Sequence, residues 1–465
     1  MGEVIKQIDD LIWGPAMLAL LLGTGCYLMI KLRFLPLRNL KAALFYAAGG
    51  GRAEESKNKR AKEATAGISS FSSLMTELAA TIGTGNIVGV AAAMVLGGPG
   101  ALFWMMLSSL AGMATKLVES MLAVKYRSRN RSGEYVGGPM YTMQNAFPIR
   151  GLGSVLGMLF SLFAVCASFG MGNMTQSNSI AAAVKTAFGV DEAKTGLIVA
   201  IAAILAVLGG IRTISRVTQV VVPLMGIFYM AGAMTVILFH AENVPAGIAG
   251  IFVSAFCPEA VSGGIFGSVT VSALESVRWG VSRGVFSNEA GLGAAGISAA
   301  AADTDDYIKQ GYISMTGVFL DTIVICSVTG LALAASGVLS LTDTGGEPLT
   351  GTDLTIAAFS TTFGDLGAYF ICVCITLFAF ATIVAWAYQG EKAFEFLMKK
   401  QKYCIYYRFF YGLVSFVGAV CALEAVWDFS DICNALMAVP NLICVLALSG
   451  EACRELGSSD FGKKS

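Results

Sequence analysis

The chain has 465 residues, 55% of them hydrophobic and only 13% charged, with 31 basic and 31 acidic side chains and a mean hydropathy of +0.70. A soluble domain carries about 25% charged residues, so much of this surface is not meant for water, and the zero net charge excludes nucleic acid or another strongly charged partner. Eleven cysteines occur singly or as Cys372-Val-Cys374 without paired CxxC motifs, and there is one histidine, His240; this excludes a zinc site and a disulfide framework.

A bilayer core takes about 20 mostly apolar residues per helix. Residues 1–10 are mixed and slightly acidic rather than a basic leader, so the apolar run 11–30 reads as a retained span. Runs of the same kind follow at 68–96, 101–124, 152–184, 197–211, 217–239, 266–301, 312–339, 366–388, 409–425 and 432–448, which makes eleven expected spans. The run 246–256 is too short to cross and reads as an interfacial or re-entrant helix. The fold class is therefore all-α and integral to a membrane.

Lysine and arginine collect on the cytoplasmic side of such proteins. Lys31, Arg33, Arg38, Lys41, Arg52, Lys57, Lys59, Arg60 and Lys62 follow the first span, and Lys125, Arg127, Arg129, Arg131 and Arg150 the third. Arg212 and Arg216 follow the fifth, and Lys392, Lys399, Lys400 and Lys402 the ninth. With eleven crossings all of these lie on one side, opposite loops that hold Glu242, Asp343, Glu347, Asp353, Asp428 and Asp431. The N-terminus is then outside and the C-terminus cytoplasmic. One span plus two sets of five divides the chain into an N-terminal helix with a basic loop (1–63), a first repeat (64–240), the short segment 241–261, a second repeat (262–450) and a tail (451–465). Five is odd, so the repeats enter the membrane from opposite sides, the architecture of many secondary transporters.

The first helix of each repeat should then be interrupted near the midplane. The second span contains Thr81-Ile-Gly83-Thr84-Gly85-Asn86, and the seventh contains Gly284-Val-Phe286-Ser287-Asn288-Glu289-Ala-Gly291-Leu-Gly293. Unwound backbone cannot be satisfied by lipid, so it must line a cavity or bind something. Half-helix N-termini favour a carboxylate and freed carbonyls a cation; an amino-acid zwitterion with a co-transported cation fits both. Glycines that merely let helices pack are the bland alternative, weakened by two breaks at matched places. Asn173, Thr175, Gln176 and Asn178 in the fourth span suggest a lined cavity, with interhelical glue as the alternative. Glu77 is an intramembrane carboxylate, a functional candidate unless it faces cytoplasmic water. Lys116 with Glu119, and Glu275 with Arg278, read as i,i+3 pairs on a helix face. Arg283 and Glu289 flank the seventh-span break and either close a gate or pair locally.

The segments GTGNIVGV from Gly83, GGPMYTMQ from Gly137, MGNMTQSNSI from Met171, GVSRGVFSNEAGLGAA from Gly280 and FAFATIVAWAYQGEK from Phe378 resemble those of the alanine/glycine:cation symporter family. The resemblance implies a leucine-transporter-type 5+5 inverted repeat with one added N-terminal helix, and uptake of alanine or glycine driven by sodium or protons. It implies that Thr81, Gly83, Thr84, Gly85 and Asn86 hold the substrate backbone, with Gln176 and Asn288 beside it, and that Phe286 and Trp386 limit the pocket. It places sodium between carbonyls at Ala79 and Ile82 and the Thr382 hydroxyl, where hard oxygen ligands suit it. Glu77, Arg283 and Glu289 are candidates for coupling or gating. The expected setting is the plasma (cell inner) membrane, with the lipid bilayer and a small amino acid as partners. No ATP-binding motif GxxxxGK[ST] is present, so no ATPase subunit is expected. A symporter for another small solute and an ion channel are the alternatives; a channel would show a continuous polar stripe, and an enzyme would need a catalytic constellation that one histidine does not supply.

Overall fold

The structure is a computed structural model that describes residues 2–50, 67–256, 272–343, 345–459 and 461. Arg52, Lys57, Lys59, Arg60 and Lys62 of the basic loop, 257–261 of the short segment and the opening of the expected seventh span at 266–271 lie outside the described residues.

The chain is helical almost throughout. It opens with α1 (Gly2–Ile12), α2 (Pro15–Lys31), α3 (Leu35–Arg38) and α4 (Leu40–Ala47). The first broken helix is α5 (Ser70–Thr81) and α6 (Val88–Leu96), followed by α7 (Ala101–Lys125). A hairpin of β1 (Ser128–Arg129) and β2 (Tyr135–Val136), antiparallel with Ser128 opposite Val136, leads into α8 (Pro139–Ala146). Next come α9 (Arg150–Phe169), a π turn (Gly170–Met174), α10 (Thr175–Phe188), α11 (Glu192–Leu208), α12 (Gly210–Phe239) and α13 (Val244–Phe256). The second broken helix is α14 (Ala273–Asn288) and α15 (Ala294–Ala299). The remainder is α16 (Tyr307–Val318), a π stretch (Phe319–Cys326), α17 (Ser327–Ser336), α18 (Gly351–Phe363), α19 (Leu366–Met398), α20 (Cys404–Val420) and α21 (Leu423–Ser458).

Among the described residues seven helical stretches are long and apolar enough to cross a bilayer: Ala101–Lys125, Arg150–Phe188, Gly210–Phe239, Tyr307–Ser336, Leu366–Met398, Gln401–Val420 and Leu423–Ser458. The other four expected spans are α2, α11 and the two broken helices, which are short or divided where glycine and polar residues interrupt the apolar run. The first expected span is also split, because Pro15 opens α2 and cannot continue α1. Beyond the expected span ending at 448, α21 runs on through Ser458, so most of the expected tail is helix.

Local chemistry sets the ends of these helices. Ser69 accepts from the Ser72 N–H to cap α5, and Ser272 with Glu275 forms a capping box on α14. Glu275 is therefore a cap rather than the partner of Arg278, whose guanidinium lies 3.5 Å from Asp9 and 2.5 Å from Asp10 of α1. Outward-facing apolar side chains such as Leu197, Ile198, Ile201 and Leu205 on α11 and Val220, Leu224 and Ile227 on α12 are exposed, which suits hydrocarbon rather than water. Inside, α5, α7, α15 and α19 surround the breaks, while α9, α10, α20 and α21 pack on one another.

Candidate functional site

At the first break α5 stops at Thr81, whose hydroxyl bonds back to the Leu78 carbonyl at 3.4 Å. A single 3-10 turn, Thr84–Asn86, separates it from α6. Asn86 holds the unwound backbone together: its Oδ1 accepts from the Gly83 N–H at 2.9 Å, and its Nδ2 donates to Asp321 Oδ1 at 2.7 Å. Gln176 Oε1 accepts from the Thr84 N–H at 3.1 Å, with its Nε2 fixed on the Met171 carbonyl at 3.0 Å. A Cβ on Gly83 would stand 2.5 Å from Thr382 Oγ1, and one on Gly85 would stand 3.1 Å from Ser287 Cα. The glycines are there so that the two broken helices and α19 can approach this closely. Thr382 Oγ1 donates to the Ala79 carbonyl at 3.0 Å as well as to its own helix at Phe378, 3.2 Å. Its oxygen and the Ala79 carbonyl thus face each other, oxygen atoms of the kind a hard cation takes.

The second break is built differently. Glu289 (φ 58°), Gly291 (φ 93°) and Gly293 (φ 81°) turn the chain through left-handed conformations between α14 and α15. For glutamate such a conformation is held against its preference. Both amide atoms of Asn288 are engaged: Oδ1 accepts from the Ala290 N–H at 2.9 Å, and Nδ2 donates to Ser109 at 2.9 Å and Thr322 at 3.1 Å. Asn288 therefore braces the break from within. Lys116 Nζ donates to the Asn288 carbonyl at 3.0 Å, and Asn441 Nδ2 reaches the Gly291 carbonyl at 2.9 Å and Glu119 Oε1 at 2.5 Å. Lys116 and Glu119 so turn to α14 and α21 respectively, rather than forming only a pair along α7.

Two aromatic walls meet the breaks. Trp386 is fully buried and donates from Nε1 to Glu289 Oε1 at 2.7 Å. Phe286 stacks on Trp427 with centroids 4.7 Å apart, and above that pair Arg283 makes a two-pronged bond to Asp431 at 3.0 and 2.7 Å. Arg283 and Glu289 do not pair with each other; each is taken by a different helix. Of the four polar residues in the fourth expected span only Gln176 reaches a break. Asn173 bonds the Tyr411 carbonyl (2.6 Å), Asn178 the Gly418 and Cys421 carbonyls (3.0 and 2.9 Å), and Thr175 bonds Ser430 (2.8 Å), so these three are interhelical glue.

Sequence reasoning missed Asp321. It is fully buried in the π stretch, with Ser287 and Thr322 donating to Oδ2 at 2.8 and 2.7 Å and Asn86 to Oδ1. An aspartate inside the run Val318-Phe-Leu-Asp321-Thr-Ile-Val was the available signal. At the far end of α19, Lys392 pairs with Glu134 of the hairpin at 3.0 Å and with Glu395 at 2.9 Å. Burial pushes the Glu134 carboxyl up, but the Lys392 ammonium more than reverses this and leaves it below the usual carboxylate range.

Comparison with known proteins gives the family and the fold. The model of the sodium:alanine symporter family matches residues 1–464. The sodium/alanine symporter AgcS of Methanococcus maripaludis is 44% identical over 451 residues, 96% of this chain and 95% of that protein. The probable sodium/glutamine symporter GlnT of Bacillus subtilis is 34% identical over 97% of this chain and 89% of its own length. The fold is similar to that of MhsT, solved in complex with L-phenylalanine, at a TM-score of 0.62 and 13% identity over 86% of this chain and 95% of that one. With a whole-chain family match and relatives that are transporters rather than enzymes, this protein belongs to the sodium:alanine symporter family.

Proposed function

We propose that the chain is a secondary active symporter that takes up a small neutral amino acid, alanine or glycine, coupled to sodium by alternating access across the plasma membrane. The observation that carries this reading is the first break itself. A backbone N–H held by Gln176, two glycines and the Ala79 carbonyl facing Thr382 Oγ1 converge where α5–α6 meets α14 and α19. The Gly83 and Thr84 N–H groups, bonded here to side-chain amides that can give them up, suit the cargo's carboxylate, and the Ala79 carbonyl with the Thr382 hydroxyl suits sodium. Phe286 and Trp386 bound the pocket, so a large side chain is disfavoured. The Arg283–Asp431 pair over Phe286–Trp427 acts as the outer gate.

The proposal includes eleven crossings in a 5+5 inverted repeat, with the N-terminus outside and the C-terminus cytoplasmic. Support comes from the charge asymmetry of the loops and from two broken helices at matched places. At 17 residues α2 and α11 are each about 25 Å long, short of the ~30 Å hydrocarbon core but within reach of local thinning. The driving force is adequate: a potential of about 100 mV gives roughly 2.3 kcal/mol per charge, and a tenfold ion gradient adds about 1.4.

Proteoliposomes loaded with this protein should accumulate labelled alanine when an inward sodium gradient is imposed and not when a proton gradient replaces it. Accumulation driven equally by protons alone would remove sodium coupling from the reading. For topology, a cysteine replacing Lys57 should label only from the cytoplasm and one replacing Gly345 only from outside; labelling of both from one side ends the eleven-crossing arrangement.

A further inference from the structure

On the Ser69 side of the Thr382–Ala79 contact lies a second polar knot that the proposed transport site does not use. Glu77, 2% exposed, projects from α5 two residues before Ala79, about 3 Å further from the break along the helix axis. Its Oε1 accepts from Ser314 of α16 at 3.0 Å and lies 3.4 Å from Ser73 Oγ. Ser73 donates to the Ser298 carbonyl of α15 at 3.0 Å and lies 3.5 Å from Gln310 Nε2 of α16. Ser298 Oγ in turn accepts from Gln389 Nε2 of α19 at 3.1 Å. Three side chains on three helices therefore hang from two serines.

What each of these three has left over is the same kind of atom. Glu77 Oε2, Gln310 Oε1 and Gln389 Oε1 are all buried and without a hydrogen-bond partner among the described residues. Buried polar atoms in native proteins are nearly always satisfied, and leaving one unmade is destabilising. Three unmatched acceptors linked through shared serines ask for one species that is electron-poor on every side. The Lys116 charge acts on Glu77, but its ammonium donates to the Asn288 carbonyl at 3.0 Å and is not hydrogen-bonded to any of the three orphaned oxygens.

We infer that Glu77, Gln310 and Gln389, with the Ser73 and Ser314 hydroxyls, form a second sodium site on the release side of the Thr382 site. One carboxylate among neutral oxygens matches a hard monovalent cation, which takes oxygen ligands and is neutralised by a single charge. A divalent or transition metal would want more anionic or nitrogen and sulfur ligands, and the described residues hold no group of three or more His, Cys, Asp or Glu side chains. The ligands come from α5, α16 and α19, and Ser298 of α15 is bonded to both Ser73 and Gln389, so the site is tied to one half of each broken helix. A bound ion would therefore hold these halves together, and its departure would loosen them. The inference rests on the proposed sodium coupling.

The test is equilibrium binding of radioactive sodium to the purified full chain, for wild type, Glu77→Gln, Glu77→Asp, Gln389→Leu and Thr382→Val. Glu77→Gln keeps the shape and removes the charge; it should lose roughly half of the saturable sodium capacity, since one of two carboxylate- or carbonyl-based sites no longer binds. Gln389→Leu should weaken the same component, and Glu77→Asp should retain capacity at lower affinity. Thr382→Val should weaken the other component roughly 5- to 30-fold. Unchanged capacity in Glu77→Gln would overturn the site and assign its acceptors to ordered water alone. Capacity lost with Glu77→Gln but affinity untouched by Thr382→Val would support this site while sinking the Thr382 assignment. No saturable sodium binding to wild type that still binds alanine would overturn both.

Discussion

The two broken helices interrupt the chain at matched places yet are held open by opposite means. At the first break the groups that touch the unwound backbone are neutral: the Asn86 and Gln176 amides hold N–H groups, with the Asp321 carboxylate one step behind on Asn86, and Gly83 sits at φ −134° and ψ −149°, an extended conformation open to any residue. At the second break the supports are charged and the backbone is left-handed: Lys116 on Asn288, Asn441 shared with Glu119, and Glu289 tied to Trp386. A neutral, unstrained break can rearrange at low cost when a ligand arrives. A break pinned by buried charges resists motion, because separating such groups leaves them uncompensated. On the proposed function, the first break is the binding element and the second the pivot against which it works.

Removing Lys116 should break the pivot and give the largest effect. Its ammonium is 1% exposed, and Glu119 and Glu289 lie one turn along its own helix and one residue beyond its bonded carbonyl. Lys116→Met leaves the Asn288 carbonyl without its donor and removes the positive charge that acts on both carboxylates, at a cost on the order of 3 kcal/mol. The expected result is a marked fall in monodisperse protein and in Tm, whereas Gln176→Ala at the first break should keep both near wild type. Equal losses from the two substitutions would erase the distinction between pivot and binding element.

Gly83→Ala probes the first break in the complementary way. The backbone conformation accepts alanine, but the new methyl would stand 2.5 Å from Thr382 Oγ1 and 3.1 Å from Gln176 Oε1. Overpacking of this kind costs about 1–3 kcal/mol, here levied on the ligand-bearing atoms rather than on the fold. Alanine uptake should drop roughly 5- to 150-fold with little change in Tm. Full uptake would show that the close approach of Gly83 to α19 is not part of the site.

The contrast between the breaks also marks what the sequence could convey. Glycines beside polar residues in apolar runs located both breaks, and the family segments pointed to Gln176, Trp386 and Thr382, which the fold brings to them. The pairing of charges was not legible. Lys116 and Glu119 suggested a local pair because i,i+3 spacing always permits one, yet their partners are 172 and 322 residues away. Arg283 found Asp431, 148 residues distant, rather than the nearby Glu289. Asp321 carries the same signal as Glu77, a carboxylate inside an apolar run, but lies outside every segment that carries the family resemblance. The short hairpin between α7 and α8 was missed for want of any alternating pattern.

Thr382 sharpens the claim that the first break holds the ion. Thr382→Val keeps the shape and removes the oxygen that faces the Ala79 carbonyl. Losing one neutral ligand should cost about 1–2 kcal/mol, by analogy with an unmet buried polar partner. That corresponds to roughly a 5- to 30-fold rise in the sodium concentration for half-maximal uptake, while Thr382→Ser should stay close to wild type. Substrate affinity at saturating sodium should move much less, because it is linked only through the ion. Serine and valine variants with the same sodium titration would exclude Thr382 as a ligand.

The smallest expected effect belongs to the one residue of the second broken helix that faces the pocket through its ring. Phe286 is stacked on Trp427 and carries no charge and no backbone strain, so it should behave unlike the rest of the pivot. Phe286→Leu keeps an apolar body and forfeits the ring pairing, worth about 0.5–1.5 kcal/mol. Alanine uptake should weaken by roughly 2- to 12-fold, and larger apolar amino acids such as valine should gain relative to alanine as the wall recedes. Folding should be nearly unaffected, since Lys116, Asn288 and Asn441 still hold the break. Competition of labelled alanine uptake by a panel of unlabelled amino acids, with Tm recorded alongside, reads both quantities. An unchanged panel would remove Phe286 from the pocket; a large fall in Tm would place it with the charged supports, and the division of labour between the two breaks would then run along the helix rather than between the helices.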